Sequence, residues 1–509
     1  MIYNVLEYLE NSASLYPDKK AVADNKSSYT YTELMEKAKN AGSFLSTITE
    51  TKKPVCVYMD KSCETLAVFL GIVYAGCFYV NIEPSHPAER INSIIGTLEA
   101  KILIVDDKSV KKAEKLGFEG TILNINELLN AKADDEAAYR LEYIRDNAID
   151  IDPLYSIFTS GSTGVPKGVI VNHRSVIDFI ETFTDKMGIG SDDIIGNQAP
   201  FDFDVSVKDI YSTLKCGATM QIIPKMMFSF PTKLLDYLED NHVTTLIWAV
   251  SALCIITTLN GFDYKVPSSI NKVMFSGEVM PIKHLNIWRK TYPEASFVNV
   301  YGPTEITCNC TYYKIDREFD INEVLPIGKA FPNERVFVLD ENDKLITPDM
   351  EGVKGEICVS GTAVTMGYYS NKEKTLEAFV QNPLNNKFNE VIYRTGDLGF
   401  YNDRRELCFS SRKDFQIKLN GHRIELSGLD MIINAIDNVK RVCCIFDADN
   451  EKIIAFYEGD IDKKSIVHEL AKKVPKFMIP GEFCQMEEII LTKNGKIDRK
   501  ALMASYKGE

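Results

Sequence analysis

Apolar and polar residues alternate along this chain in two rhythms. From Tyr31 to Leu45 the apolar positions fall at helical spacing, introduced by Thr30 and Thr32, either of which can cap a first turn. Pro54 to Met59 is a short β-branched run and predicts a strand. A helix is expected from there to about Tyr74, then a strand over Cys77–Val80, a helix over Pro87–Leu98 and a strand over Ala100–Val105. The rhythm resumes from Asp193 to Ser276, with helices around Val207–Leu214 and Pro231–Glu239 and strands at Thr219–Ile223 and Thr244–Trp248. Alternation of this kind predicts parallel sheets with helices on their faces. The most apolar run, Leu66 to Val80, is shorter than the roughly 20 residues of a membrane-spanning helix, and Gly71 and Gly76 interrupt it. It reads as a core helix running into a buried strand. After Gly328 short strands such as Glu334–Leu339 and Gly355–Val359, joined by Asn, Asp and Gly turns, predict antiparallel structure. From about Phe415 a small α+β unit is expected, with Arg412 to Asp414 as its linker. No internal repeat or low-complexity tract is found.

A chain of 509 residues exceeds what one core usually serves, so two or more domains are expected. The formal net charge of −14 argues against nucleic acid or an anionic membrane as the partner of the whole chain. The 12 cysteines are scattered and only 6 histidines are present. The nearest cysteine pairs, Cys308/Cys310 and Cys443/Cys444, lack zinc-site spacing, so reduced thiols in a cytoplasmic protein are expected. Acids at Glu7 and Glu10 stand where a signal peptide needs a basic and then an apolar run.

Chemistry concentrates first in Tyr155-Ser-Ile-Phe-Thr-Ser-Gly-Ser-Thr-Gly-Val-Pro-Lys-Gly-Val169. Behind a strand-like lead-in come Thr159, Ser160, Gly161, Ser162, Thr163 and Gly164, then Lys167. Glycines let backbone N–H groups approach an anion, hydroxyls add donors, and the lysine adds a charge: the composition of a phosphate-holding loop. It lacks the Gly-Lys-Ser/Thr order of the common P-loop, and a plain Ser/Gly surface turn has the same composition. Asn299-Val-Tyr-Gly-Pro-Thr-Glu305 has a forced turn at Gly302-Pro303 that exposes Tyr301, Thr304 and Glu305 together. A ring there can stack on a base and a carboxylate can hold Mg2+ beside phosphate. Tyr393-Arg-Thr-Gly-Asp397 reads as a further turn, its acid suited to a ribose diol. Asn494-Gly-Lys-Ile-Asp498 is a turn presenting Lys496. Each motif alone is weak, because such turns occur in any protein.

In this order and together, the motifs resemble the adenylate-forming superfamily, which contains nonribosomal-peptide adenylation domains, acyl-CoA synthetases and luciferases. The resemblance covers nearly the whole chain and includes Tyr74-Ala-Gly-Cys-Phe-Tyr-Val80, Gly355-Glu-Ile-Cys358 and Met366-Gly-Tyr368. Within it, Asn197 to Val207 and Met274-Phe-Ser-Gly-Glu-Val-Met-Pro281 are most similar to D-alanine–carrier-protein ligases. It implies an α/β fold: a large N-terminal domain (1–413) of two parallel-type subdomains and a distorted β-barrel, and a small mobile C-terminal lid (414–509) hinged near Asp414. It implies ATP and Mg2+, with Glu305 holding the metal. Thr159 to Gly164 and Lys167 would hold pyrophosphate. Gly277, Glu278, Gly302 and Thr304 would line the nucleotide site, Asn299 would meet the adenine edge, Tyr301 its face, and Asp397 and Arg412 the ribose. Lys496 would bridge the substrate carboxylate and the α-phosphate, and Lys418 would serve thiol transfer after lid rotation. One departure is Ser411, where the family usually has Gly.

The resemblance also implies an amino-acid substrate, its ammonium paired with Asp204. Alternatively, Asp204 supports a helix dipole, worth about 0.3–1 kcal/mol. The rest of the pocket would be Val205, Lys208, Ile247, Met274, Ser276, Val300, Cys308 and Asn309. Where D-alanine ligases carry Cys and an apolar residue, this chain carries Ser276 and Lys208. A lysine facing a closed pocket is costly unless an anion meets it, which suits a substrate side-chain carboxylate. The other reading pairs Lys208 with Asp204, or lets it extend past Asp209, leaving a pocket for a small or polar amino acid such as alanine or serine. The acceptor is expected to be the phosphopantetheine thiol of a separate carrier protein, since no carrier or peptide-forming segment flanks the motifs, and a monomer is expected. Alternatives are a D-alanine ligase of teichoic-acid type, an acyl-CoA synthetase using free coenzyme A, and a non-catalytic member.

Overall fold

The computed structural model describes residues 2–131, 134–159, 165–321, 323–413, 416–490 and 497–508. They fall into two compact units, one of residues 1–84, 98–157 and 169–413, the other of 85–97, 158–168 and 414–509.

In the first unit, helix Tyr31–Leu45 begins where the sequence places a cap. The Thr30 hydroxyl accepts from the Glu33 N–H (3.2 Å) and the Glu33 carboxylate from the Thr30 N–H (2.8 Å), so two end donors are satisfied reciprocally. This helix packs against the almost wholly buried helix Cys63–Tyr74. The contact depends on glycine: a Cβ at Gly71 would lie 2.5 Å from the Ala41 Cβ, and one at Gly42 would lie 2.6 Å from that of Tyr74. The apolar run from Leu66 to Val80 is therefore core, continuing into strand Phe78–Asn81.

Two large sheets carry the unit. A six-stranded sheet runs Thr121–Asn124, Ile102–Val105, Pro54–Tyr58, Phe78–Asn81, Pro153–Thr159, Lys167–Asn172, with parallel pairing from the first strand to the fifth. A nine-stranded sheet has a parallel centre in the order Ser296–Tyr301, Lys272–Ser276, Thr245–Ala249, Ile194–Asn197, Thr219–Ile222, Lys20–Ala23. Antiparallel strands border it on both sides. From Ile194–Asn197 the chain first adds a strand on one side, then crosses to build on the other. That reversal leaves a crevice at the carboxyl ends of Ile194–Asn197 and Thr245–Ala249, where open α/β sheets bind ligands.

Residues 334–412 form an antiparallel sheet of six strands, with Val391–Tyr401 pairing Gly355–Gly361, Phe379–Gln381 and Leu407–Arg412. The distorted barrel implied by the resemblance is thus an open sheet among the described residues. Its outer strands Leu345–Ile346 and Phe379–Gln381 are too short to close a ring. Tyr393 to Asp397, expected as a turn, lies inside strand Val391–Tyr401. Its ladder shifts register there, and the Thr395 hydroxyl (to Ile357 O, 2.7 Å) and the Gly396 N–H (to a Glu356 carboxylate oxygen, 3.1 Å) make the irregular contacts.

The second unit holds the hairpin Gln416–Leu419/His422–Glu425 and a three-stranded sheet of Val439–Asp447, Lys452–Gly459 and Glu482–Gln485, with helices Leu426–Asn434, Lys463–Lys473 and Arg499–Lys507. None of the 12 cysteines is joined in a disulfide. Among the described residues no helix is long and apolar enough to cross a membrane.

Candidate active site

The predicted pocket residues come from elements that end at the crevice. Helix Val205–Cys216 carries Lys208, and strands Thr245–Ala249, Lys272–Ser276 and Ser296–Tyr301 supply Ile247, Met274, Ser276 and Val300. Cys308 and Asn309 follow the short 3-10 turn Thr304–Ile306. All of these except Val205 are buried. Thr307 and Cys308 take consecutive left-handed conformations (φ 52° and 82°), costly for non-glycine residues and frequent at functional sites. The Thr307 hydroxyl, donating to Ala363 O at 2.7 Å, pins the bend. Gly302 permits it: a Cβ there would lie 2.5 Å from the Asn309 Cα.

Lys208 is 0% exposed. Its ammonium donates to the Asn309 side-chain oxygen at 2.8 Å and the Ser276 hydroxyl at 3.3 Å. Among the described residues no carboxylate lies within ion-pairing distance of it. The lysine neither pairs with Asp204 nor extends past Asp209 to solvent, contrary to one of the two sequence readings. Asp204 occupies the N-cap position of helix Val205–Cys216 but makes no capping hydrogen bond (φ −62°, ψ −26°), so its carboxylate is not spent on the helix end.

A second cluster joins strands of different sheets. Tyr301 donates its hydroxyl to the Asp397 carboxylate (2.5 Å), and Arg412 donates to the other carboxylate oxygen (2.7 Å) and to Thr395 O (2.8 Å). Asp397 and Arg412 are opposite each other across two antiparallel strands, which fixes the pair. Burial and the Asp397 charge push the Tyr301 phenol far above its usual range, so it stays a neutral donor. The Asn299 amide donates to Pro326 O (2.8 Å). Glu305 is fully buried, and the Tyr368 hydroxyl donates to its carboxylate at 2.8 Å. Thr304 is buried beside it, Gly277 (φ 96°) follows strand Lys272–Ser276, and the Glu278 carboxylate accepts from the Ser251 N–H at a helix start (3.1 Å).

Thr159 ends strand Pro153–Thr159, Lys167 begins the next strand and pairs with Glu425 (3.3 Å) within the second unit, and Lys418 lies on strand Gln416–Leu419. Ser160, Gly161, Ser162, Thr163, Gly164, Asp414 and Lys496 lie outside the described residues.

Two features were not foreseen from sequence. Tyr155 is buried, burial above all holds its phenol well above the usual range, and its hydroxyl has no partner among the described residues. Lys61 and Asp209 are joined through Asn197. No spacing rule links positions so far apart; only the buried polar residue types hint at them.

The model of the AMP-binding family, described as AMP-binding enzyme, matches residues 9–369. Over 99% of its length this chain is 30% identical to D-alanine--D-alanyl carrier protein ligase of Staphylococcus aureus (strain Newman), all of which is covered. It is 31% identical over 98% of its length to surfactin synthase subunit 1 of Bacillus subtilis (strain 168), of which it spans 14%. In tyrocidine synthase 3 of Brevibacillus parabrevis it spans 8%. The solved adenylation domain AlmE of Vibrio cholerae, in complex with glycyl-adenosine-5'-phosphate, superposes with a TM-score of 0.84 over 100% of this chain and 98% of its own, at 18% identity. A crevice at the reversal point of a parallel sheet, and a family match covering most of the chain that bears it, establish that this chain belongs to the AMP-binding enzymes.

Proposed function

We propose that the protein activates an amino acid as its adenylate at the expense of ATP and passes the aminoacyl group to the phosphopantetheine thiol of a carrier protein. The full-length likeness to a carrier-protein ligase supports the reaction class. One observation carries the substrate reading: a fully buried Lys208 whose ammonium, among the described residues, is hydrogen-bonded only to neutral oxygens. An ammonium has three donors. Two are used, and a buried cation without a counter-charge is strongly disfavoured. A side-chain carboxylate of the substrate supplies that charge, so we favour glutamate or aspartate. Asp204 receives the α-ammonium. The second reading, a small neutral amino acid such as D-alanine, is favoured by the likeness to the Staphylococcus ligase.

In the first half-reaction a carboxylate oxygen of the amino acid attacks the α-phosphorus of ATP and the bond to pyrophosphate breaks. In the second, the carrier thiol attacks the carbonyl carbon and AMP leaves. Two anions meeting in line need positioning and charge neutralisation rather than a protein nucleophile. Asp397 keeps acceptor capacity on both oxygens for a ribose diol after bonding Tyr301 and Arg412. Asn299 has its amide N–H committed to Pro326, which leaves its side-chain oxygen to accept from an exocyclic amine. Among the described residues no cluster of three or more His, Cys, Asp or Glu could hold a metal alone. A single carboxylate beside phosphates fits Mg2+, which usually takes one or two carboxylates plus substrate oxygens; Glu305 would hold it, and the ion would neutralise phosphate charge. Lys496 bridges the two anions in adenylation, and Lys418 serves thiol transfer once the lid, residues 414–509, has rotated.

The reciprocal lysine variants test this division. Lys496→Ala should cut amino-acid-dependent exchange of pyrophosphate into ATP by ~10²-fold or more and spare thioester formation from supplied aminoacyl-AMP. Lys418→Ala should do the reverse. Near-normal exchange by the Lys496 variant would remove it from the reaction.

A further inference from the structure

Lys61 lies just before helix Cys63–Tyr74, which the Ser62 hydroxyl caps. Its ammonium reaches Asn197 O (3.1 Å), the Asn197 side-chain oxygen (3.0 Å), Gln198 O (2.8 Å) and Ala199 O (3.4 Å). It thus gathers three successive carbonyls where strand Ile194–Asn197 ends. The Asn197 amide turns the other way and donates to the Asp209 carboxylate at 2.6 Å. Asp209 is 0% exposed, and its second oxygen has no partner among the described residues. A cation and an acid are therefore coupled through one asparagine amide, and Asp209 stands on the helix that carries Lys208. Burial pulls the Lys61 pKa down to about 7 and pushes that of Asp209 up to about 7.

The segment so held, 197–204, leads directly to Asp204. Its far side is held by the same helix: Phe201 packs on Phe69 (centroids 5.6 Å), and Phe69 stacks on Tyr79 (4.2 Å). The Tyr79 hydroxyl meets that of Tyr211, also on helix Val205–Cys216, at 3.1 Å. A cavity of 640 Å3 lined by Lys61, Gln198, Pro200 and Phe201 borders the segment, so on that side packing alone does not fix it.

We infer that Lys61 is a positioning residue for the amino-acid site. Through the carbonyls of 197–199, and through Asn197 to Asp209, it sets the segment and helix that present Asp204 and Lys208 to the substrate. This rests on the reading that Asp204 and Lys208 receive the amino acid.

The test uses the full chain with Lys61→Met, Lys61→Arg and Asp209→Asn. Pyrophosphate exchange is measured with L-glutamate, L-aspartate and D-alanine, and amide hydrogen exchange is followed on the free protein. Lys61→Met should raise the amino-acid KM about tenfold or more, since ~1 Å of misplacement can cost ~10²-fold, while the KM for ATP changes less than twofold. Lys61→Arg should restore most of the loss, and Asp209→Asn should reproduce a smaller part of it. Amides 197–206 should exchange faster in Lys61→Met, with Tyr301 and Asp397 segments unchanged. Equal changes in both KM values, or unaltered protection of 197–206, would overturn the inference. Should none of the three amino acids support exchange by the wild type, the acidic-substrate and alanine readings fail, and the hydrogen-exchange comparison alone still decides whether Lys61 holds the segment.

Discussion

Lys208→Met is expected to cost the enzyme its acidic substrate and to make the folded protein more stable. The two effects have one cause. In the wild type the ammonium is buried against Asn309 and Ser276, with no carboxylate within ion-pairing distance among the described residues. Removing one member of a buried ion pair typically costs 3–5 kcal/mol, so kcat/KM toward glutamate or aspartate should fall by roughly 10²–10³-fold. Without substrate the lysine is a buried charge with no ion-pair partner among the described residues, and an apolar chain of similar length removes the cost of burying it. The melting temperature should therefore rise, as when an active site trades stability for function. Activity toward small neutral amino acids should rise as well. A wild type that already prefers D- or L-alanine, with that preference unchanged in the variant, would dismiss the acidic substrate and favour the D-alanine ligase reading.

Asp204→Asn should act on binding with little effect on stability. The carboxylate makes no capping bond, so the helix loses at most a dipole contribution of about 0.3–1 kcal/mol. The substrate ammonium, by contrast, would lose its counter-charge at a cost of roughly 3–5 kcal/mol. The expected result is a loss of amino-acid activation of 10²-fold or more with a melting temperature close to that of the wild type. Comparing glutamate with glutarate checks the assignment: a wild type that activates both equally well does not use Asp204 to read nitrogen.

What could be read from sequence was local. The cap at Thr30 or Thr32, which proves to be Thr30, the buried run from Leu66 to Val80 and the strand–helix alternation each depend on residues a few positions apart, and each is present in the structure. Tyr393 to Asp397 was misread because Gly-Asp favours turns locally, whereas strands on both sides extend it. The environment of Lys208 depends on Ser276 and Asn309, 68 and 101 residues away. Sequence placed them in one pocket through the family resemblance but could not decide whether the lysine was enclosed or turned outward. Lys61 escaped notice altogether: a lysine before a helix looks like solvated charge until its partners, 136 to 138 residues on, are brought to it.

The most direct test of the central claim is ATP–pyrophosphate exchange by the wild-type protein across a panel of amino acids and their des-amino analogues. Exchange is expected to require the α-amino group and to be greatest with glutamate or aspartate. Equal exchange with fatty or other des-amino acids, or none with any amino acid, would contradict that claim.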